Sequence, residues 1–210
     1  MKYLVVAIST AARGDIEDSP YLPLASMKGV DTPEEVYAKA AMQPEYGMVC
    51  CLSAYMVKFG KDNLYSIENV LSLTSGDMEG EEALLLSFES ALQRFGTDTV
   101  LVGYDIKGFI IPFLAKRYLG HGLCIPIEIR NAIKGNVIDI MEELSCGGNS
   151  TTSLRSSAWL LGIQDELQLH EAPKSMLEHV LRHTDLDAST VANVFSRCVS
   201  GELIKVEEHK

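Results

Sequence analysis

Residues 3–9 read Tyr-Leu-Val-Val-Ala-Ile-Ser, a continuous β-branched run that predicts a strand covered on both faces. Residues 10–45 are polar and carry Pro20, Pro23 and Pro33, which predicts a loop holding one short helix near 33–39. Gly47 opens a second apolar run at 48–57. Residues 60–63 have turn chemistry and 63–73 return as a partner strand, so the pair is predicted to form a hairpin. After a polar, Gly-rich stretch at 74–80, Leu84, Leu85, Phe88, Leu92 and Phe95 recur at helical spacing across 81–95. Residues 100–102 predict a short buried strand, 111–119 a helix that accepts Pro112 in its first turn, and 137–138 another strand end. A Ser or Thr closing the loop 147–153 can cap a helix over 154–161, which Gly162 stops. Two more helices are predicted, at about 173–182 and 185–200, the latter with Val191, Val194, Phe195 and Cys198 as its core stripe. This order describes a mixed α/β sheet flanked by helices, in a single domain spanning 1–210.

Composition narrows the function classes. At 47% apolar and 22% charged, 210 residues supply their own core, which excludes a disordered chain or a disulfide scaffold. The net charge of −11 opposes non-specific attraction to nucleic acid, so any such contact must be local. The five cysteines include no C-x-x-C pair and read as core thiols in a reducing cytoplasm, the expected location. Cys50 and Cys51 point to opposite faces if their run is a strand. Met1-Lys2 and the apolar run behind it imitate a short secretory signal, but a buried first strand explains them better. No run approaches the roughly 18 apolar residues of a membrane span, so no membrane partner is expected.

Gly-rich phosphate loops, zinc spacings and nucleophile elbows are all missing from the sequence. Four segments nevertheless carry a family pattern. Residues 44–53 read Pro-Glu-Tyr-Gly-Met-Val-Cys-Cys-Leu-Ser, and residues 101–114 read Leu-Val-Gly-Tyr-Asp-Ile-Lys-Gly-Phe-Ile-Ile-Pro-Phe-Leu. Val137-Ile-Asp-Ile-Met141 and the Ser153 to Ile163 stretch follow in the same order. Together they resemble the predicted 3′–5′ exonucleases related to the proofreading exonuclease domain of family B DNA polymerases. The resemblance implies a ribonuclease H-like fold of the DEDD superfamily. It also implies phosphodiester hydrolysis by two divalent ions held on four carboxylates.

This chain departs from that pattern where the chemistry sits. Ala7 and Ser9 stand at the family's D-x-E, two positions that share one face of a strand. Phe109-Ile110 stands where the family has F-D, and His183-x-x-x-Asp187 where it has Y-x-x-x-D. Asp187 is thus the retained ligand position. Two Mg²⁺ opposed by a single carboxylate leave about +3 uncompensated, and Mg²⁺ dehydrates reluctantly. The resemblance therefore implies a vestigial site at Ala7, Ser9, Ile110, His183 and Asp187, with no metal or cofactor expected. Asp105, Lys107 and Phe109 are its candidate nucleic-acid contacts, and Arg155 a further phosphate contact. A partner would be a replication or repair protein, or a single-stranded nucleic-acid end.

Two alternatives stay open. An active enzyme would need Mg²⁺ or Mn²⁺ on relocated ligands drawn from Asp15 or Asp18, Asp105, Asp139 and Asp187; a protein-only scaffold would need none. Plainer roles compete at each position. Ala7, Ser9 and Ile110 also suit an ordinary strand and core, Asp105 a turn, Asp139 a backbone or cap bond, and Asp187 a solvated charge. The acidic run Asp15, Glu17, Asp18 suits a solvated loop.

Overall fold

The computed structural model describes residues 2–14, 33–60, 65–96, 98–148, 153–163, 176–201 and 203–204. Strand β1 (Lys2–Ala12) divides its side chains between two cores. Leu4 and Val6 enter one, Tyr3 and Val5 the other. β1 is the middle strand of a described five-stranded sheet of order β3-β2-β1-β4-β5. β2 (Gly47–Phe59) runs antiparallel to β1, and β3 (Tyr65–Thr74) antiparallel to β2. β4 (Thr99–Gly103) is parallel to β1, and β5 (Val137–Asp139) parallel to β4.

Helix α1 (Pro33–Ala41) leads into β2, and α2 (Met78–Phe95), α3 (Ile111–Gly120) and α4 (Ile127–Ile133) cover one face of the sheet. Their Leu85, Phe88, Phe113, Tyr118 and Ile129 bury Leu4, Val6 and Leu52. The other face carries α5 (Ile140–Ser145), α6 (Leu154–Leu160) and α7 (Met176–Ser200). There Phe195 of α7 meets Tyr3 with ring centroids 5.3 Å apart and Phe59 edge-on at 5.5 Å. Among the described residues no helix is long and apolar enough to cross a membrane.

Most predicted elements are present, with informative shifts. β1 continues through Ala12 past an irregularity at Ser9/Thr10, where a loop was predicted from residue 10. α2 begins at Met78 rather than Glu81, because the Asp77 side chain accepts the Gly80 N–H at 2.8 Å and caps it. The predicted break near 183–184 does not occur; α7 runs unbroken through both positions, while residues 173–175 lie outside the described residues. α4 and α5 were not predicted. Ser153 caps α6 and Gly162, at φ 67°, ends it as expected. The thiols divide: Cys50, Cys51 and Cys198 are buried, but Cys124 and Cys146 are exposed rather than in a core.

Two features lock the α1–β2–α2 corner. Fully buried Glu81 accepts from the Val49 N–H at 2.7 Å, from Arg117 Nη2 at 2.6 Å and from His121 Nε2 at 2.8 Å. Arg117 also reaches the Pro44 carbonyl at 3.0 Å. Burial pushes the Glu81 pKa up, but the Arg117, His121 and Val49 hydrogen bonds outweigh it and hold the carboxyl below its ordinary range. The second feature is Gly47. Its N–H donates to the Gln43 carbonyl at 2.7 Å, and a Cβ there would lie 2.6 Å from the Ala41 carbonyl oxygen. That oxygen belongs to the backbone and cannot swing aside. Gly47→Ala is therefore expected to cost about 1–3 kcal/mol, seen as a lowered urea midpoint. An unchanged midpoint would show that the α1–β2 junction yields freely.

Candidate functional site

The site is built where β4 stops. At Gly103 a Cβ would come within 2.9 Å of Ile106 Cβ and 3.1 Å of the Val6 carbonyl oxygen, so only glycine lets the chain turn this close to β1. Asp105 then takes a left-handed conformation (φ 54°) and the chain winds into a π-helical turn, Ile106–Ile110. Asp139, at the end of β5, holds this turn. Its buried carboxylate accepts from the backbone N–H of Asp105 at 3.1 Å, of Lys107 at 3.0 Å and of Met141 at 3.0 Å, the last capping α5. The backbone and cap role weighed for Asp139 is the one present.

The turn sets Phe109 and Ile110 into the wall of a cleft of about 380 Å³. β1 contributes Ala7, α6 contributes Arg155 and α7 contributes Asp187, so three of the five vestigial-site positions, 7, 110 and 187, meet in one cleft with the candidate contacts Phe109 and Arg155. Tyr104, which the sequence reading missed, also lines it. Phe109 is half-buried against Phe113, ring centroids 5.4 Å apart.

The other predicted positions sit elsewhere. Ser9 is not in the cleft wall. Its hydroxyl lies 2.7 Å from Thr184 Oγ1 on α7, and Thr184 in turn donates to the Val180 carbonyl at 2.9 Å. His183 is half-buried on α7, one turn before Asp187 and outside the lining. Lys107, a candidate nucleic-acid contact, is outside the cleft lining and pairs with Glu142 at 2.5 Å on the exposed side of the turn. Asp105 is also outside the lining, and its side chain makes no cap hydrogen bond. Asp15, Glu17 and Asp18 lie outside the described residues.

Neighbouring Asp185 was not singled out from sequence. Its Oδ1 accepts from Ser53 at 2.5 Å and Ser72 at 2.6 Å, fastening α7 across β2 and β3. No periodicity signals such a contact, since its partners are 132 and 113 residues away.

Electrostatics separate the acids. Burial, then the charges of Asp139 and Glu142, raise the Asp105 pKa above its ordinary value. A carboxyl raised in the folded state favours its protonated form, so ionised Asp105 removes stability as pH rises beyond the ordinary carboxylate range. Asp105→Asn is expected to add on the order of 0.5 kcal/mol at neutral pH, discounted for screening, and to lose that advantage in acid. Urea unfolding at both pH values checks this; equal stability of the two proteins at neutral pH would contradict it.

As a donor set, the described lining of the cleft does not fit two hard divalent ions. Ala7 and Ile110 offer no oxygen, and Asp187 is the one carboxylate among the described lining residues. Among the described residues, no three His, Cys, Asp or Glu side chains are grouped to hold a metal.

No family model matches the chain, and no curated protein does. Solved structures do. The family B DNA polymerase of the hyperthermophilic archaeon Pyrobaculum calidifontis aligns with 95% of this chain at 13% identity and a TM-score of 0.54, over 24% of its own length. Exonuclease I aligns with 96% of this chain at 9% identity and a TM-score of 0.51, over 42% of its own length. The chain therefore spans less than half of either protein. What these likenesses establish is the fold, an exonuclease-like, ribonuclease H-like mixed α/β sheet.

Proposed function

We propose that this protein is a catalytically inactive relative of DEDD-type 3′–5′ exonucleases. It acts in nucleic-acid metabolism by holding a nucleic-acid end or docking a replication or repair protein. The observation that carries this reading is the convergence of positions 7, 110 and 187 on one cleft that has a single carboxylate in its described wall. At positions 7 and 110 of this cleft, a methyl and a branched alkyl group stand where the family pattern places oxygens that would neutralise two divalent ions. Ser9 supports the same reading. Its hydroxyl is engaged by Thr184, so the second D-x-E position is turned to helix docking.

The overall charge of −11 opposes non-specific attraction to nucleic acid, so any such contact is local. The relocated-ligand alternative loses support from the structure's donors, since Asp139 serves three backbone N–H groups and Asp105 lies outside the cleft lining.

Digestion of a 5′-labelled single strand in Mn²⁺ tests the reading. The labelled strand is expected to keep its length. Metal-dependent shortening that disappears in Asp187→Ala would overturn inactivity and restore the enzyme alternative.

A further inference from the structure

Helix α6 buries Ser157 and Ala158, with Ala158 in the core that α7 forms against the sheet. Arg155 and Trp159 lie off this buried side, one turn apart. At helical geometry they are separated by about 40° round the axis and about 6 Å along it, so they share a flank. Arg155 already lines the cleft, and it is exposed. Trp159 is 83% exposed, although the largest phenylalanines of the chain's two cores, Phe88, Phe113 and Phe195, are fully buried. A Trp left in water contributes little to folding and offers a large rigid face for something else.

We propose that Arg155 and Trp159 form a metal-independent track for single-stranded nucleic acid leading out of the cleft. Arg155 takes a phosphate near the strand end and Trp159 stacks the adjoining base. The inference rests on the reading that the cleft holds a nucleic-acid end. A cation and an open aromatic face in alternation are what a single strand requires, whatever its sequence. Arg suits this place because its fork binds phosphate oxygens in pairs without a bridging ion. A protein partner is the weaker occupant here. Its natural apolar anchor would join Trp159 to Leu160, which is 74% exposed but turned about 100° from Trp159 and about 140° from Arg155.

Trp159 is the chain's single tryptophan, so its fluorescence reports this position alone. The full chain is titrated in EDTA with a short single-stranded oligonucleotide, while anisotropy of an end label on the strand measures binding separately. The track predicts saturable quenching that follows the anisotropy curve. Trp159→Ala weakens binding about 5- to 100-fold, Trp159→Phe restores most of it, and Arg155→Gln lowers the slope of log affinity against log salt by about 0.7. An unchanged thermal midpoint in Trp159→Ala separates this loss from misfolding. If the strand binds with no quenching and Trp159→Ala binds as tightly as the parent, the track is overturned while the cleft reading stands. If no strand binds even at low salt, the nucleic-acid reading of the cleft fails and the track with it.

Discussion

Replacing Arg117 by methionine is expected to cost about 3–5 kcal/mol of stability, the largest loss foreseen for any single side chain here. Glu81 is fully buried and would keep only the Val49 N–H and His121 as partners, leaving its charge in a dry corner without its cation. The same change releases the Pro44 carbonyl and loosens the segment that feeds β2. The cost comes from the stranded charge rather than from the ion pair itself, which predicts a partial rescue. Glu81→Gln added to Arg117→Met keeps an acceptor for Val49 while removing the charge, so the double variant should be more stable than Arg117→Met alone.

The sign of the pH dependence follows from the lowered Glu81 pKa. Its contribution is full above the ordinary carboxylate range and is lost as pH falls through the depressed folded value, so the parent protein weakens in acid more steeply than Glu81→Gln. Chemical denaturation across that range measures both effects. A loss below about 1 kcal/mol in Arg117→Met would mean that water reaches this corner.

The second large effect is a gain. Introducing carboxylates by Ala7→Asp, Ser9→Glu and Ile110→Asp should create divalent-ion binding that the parent is expected to lack, but the three changes are not equally easy. Ala7 faces about 380 Å³ of open cleft, which gives an aspartate room and water. Ser9 is held against Thr184, a fully buried residue, so a glutamate there also needs Thr184→Ala to clear its path. Ile110 is 5% exposed, and an aspartate at that position is expected to cost a few kcal/mol until an ion neutralises it. The fourfold variant should therefore be destabilised without metal and regain thermal stability as Mn²⁺ is added, while the parent shows no such response. A folded fourfold variant that ignores Mn²⁺ would show that positions 7, 9, 110 and 187 do not share a site.

Where one side chain's surroundings repeat along the chain, the sequence disclosed them. The stripe Val191, Val194, Phe195 and Cys198 is buried throughout, and the apolar run at residues 3–9 became the central strand because helices cover both its faces. Ala7 lines the cleft together with its neighbours Val6 and Ile8, whereas Ser9, two residues on, meets Thr184 instead. Two kinds of feature stayed hidden. The short helices α4 and α5 have seven and six residues, too few turns to show a stripe. The unbroken α7 was obscured by its polar middle. Thr184 satisfies its hydroxyl within the helix and Asp185 bonds two serines of the sheet, so polar residues there fasten the helix instead of ending it. At the site, Lys107 and Arg155 were equivalent on paper. Their difference, one paired with Glu142 and the other in the cleft wall, depends on which way the π-helical turn and α6 face.

A single carboxylate is expected not to keep two hydrated divalent ions in this cleft. Calorimetric titration of the unmodified chain with Mn²⁺, repeated on Asp187→Ala, addresses it most directly. No saturable heat attributable to position 187 is expected, and the curves of the two proteins should be indistinguishable. Saturable uptake of two ions per chain, abolished by Asp187→Ala, would contradict it.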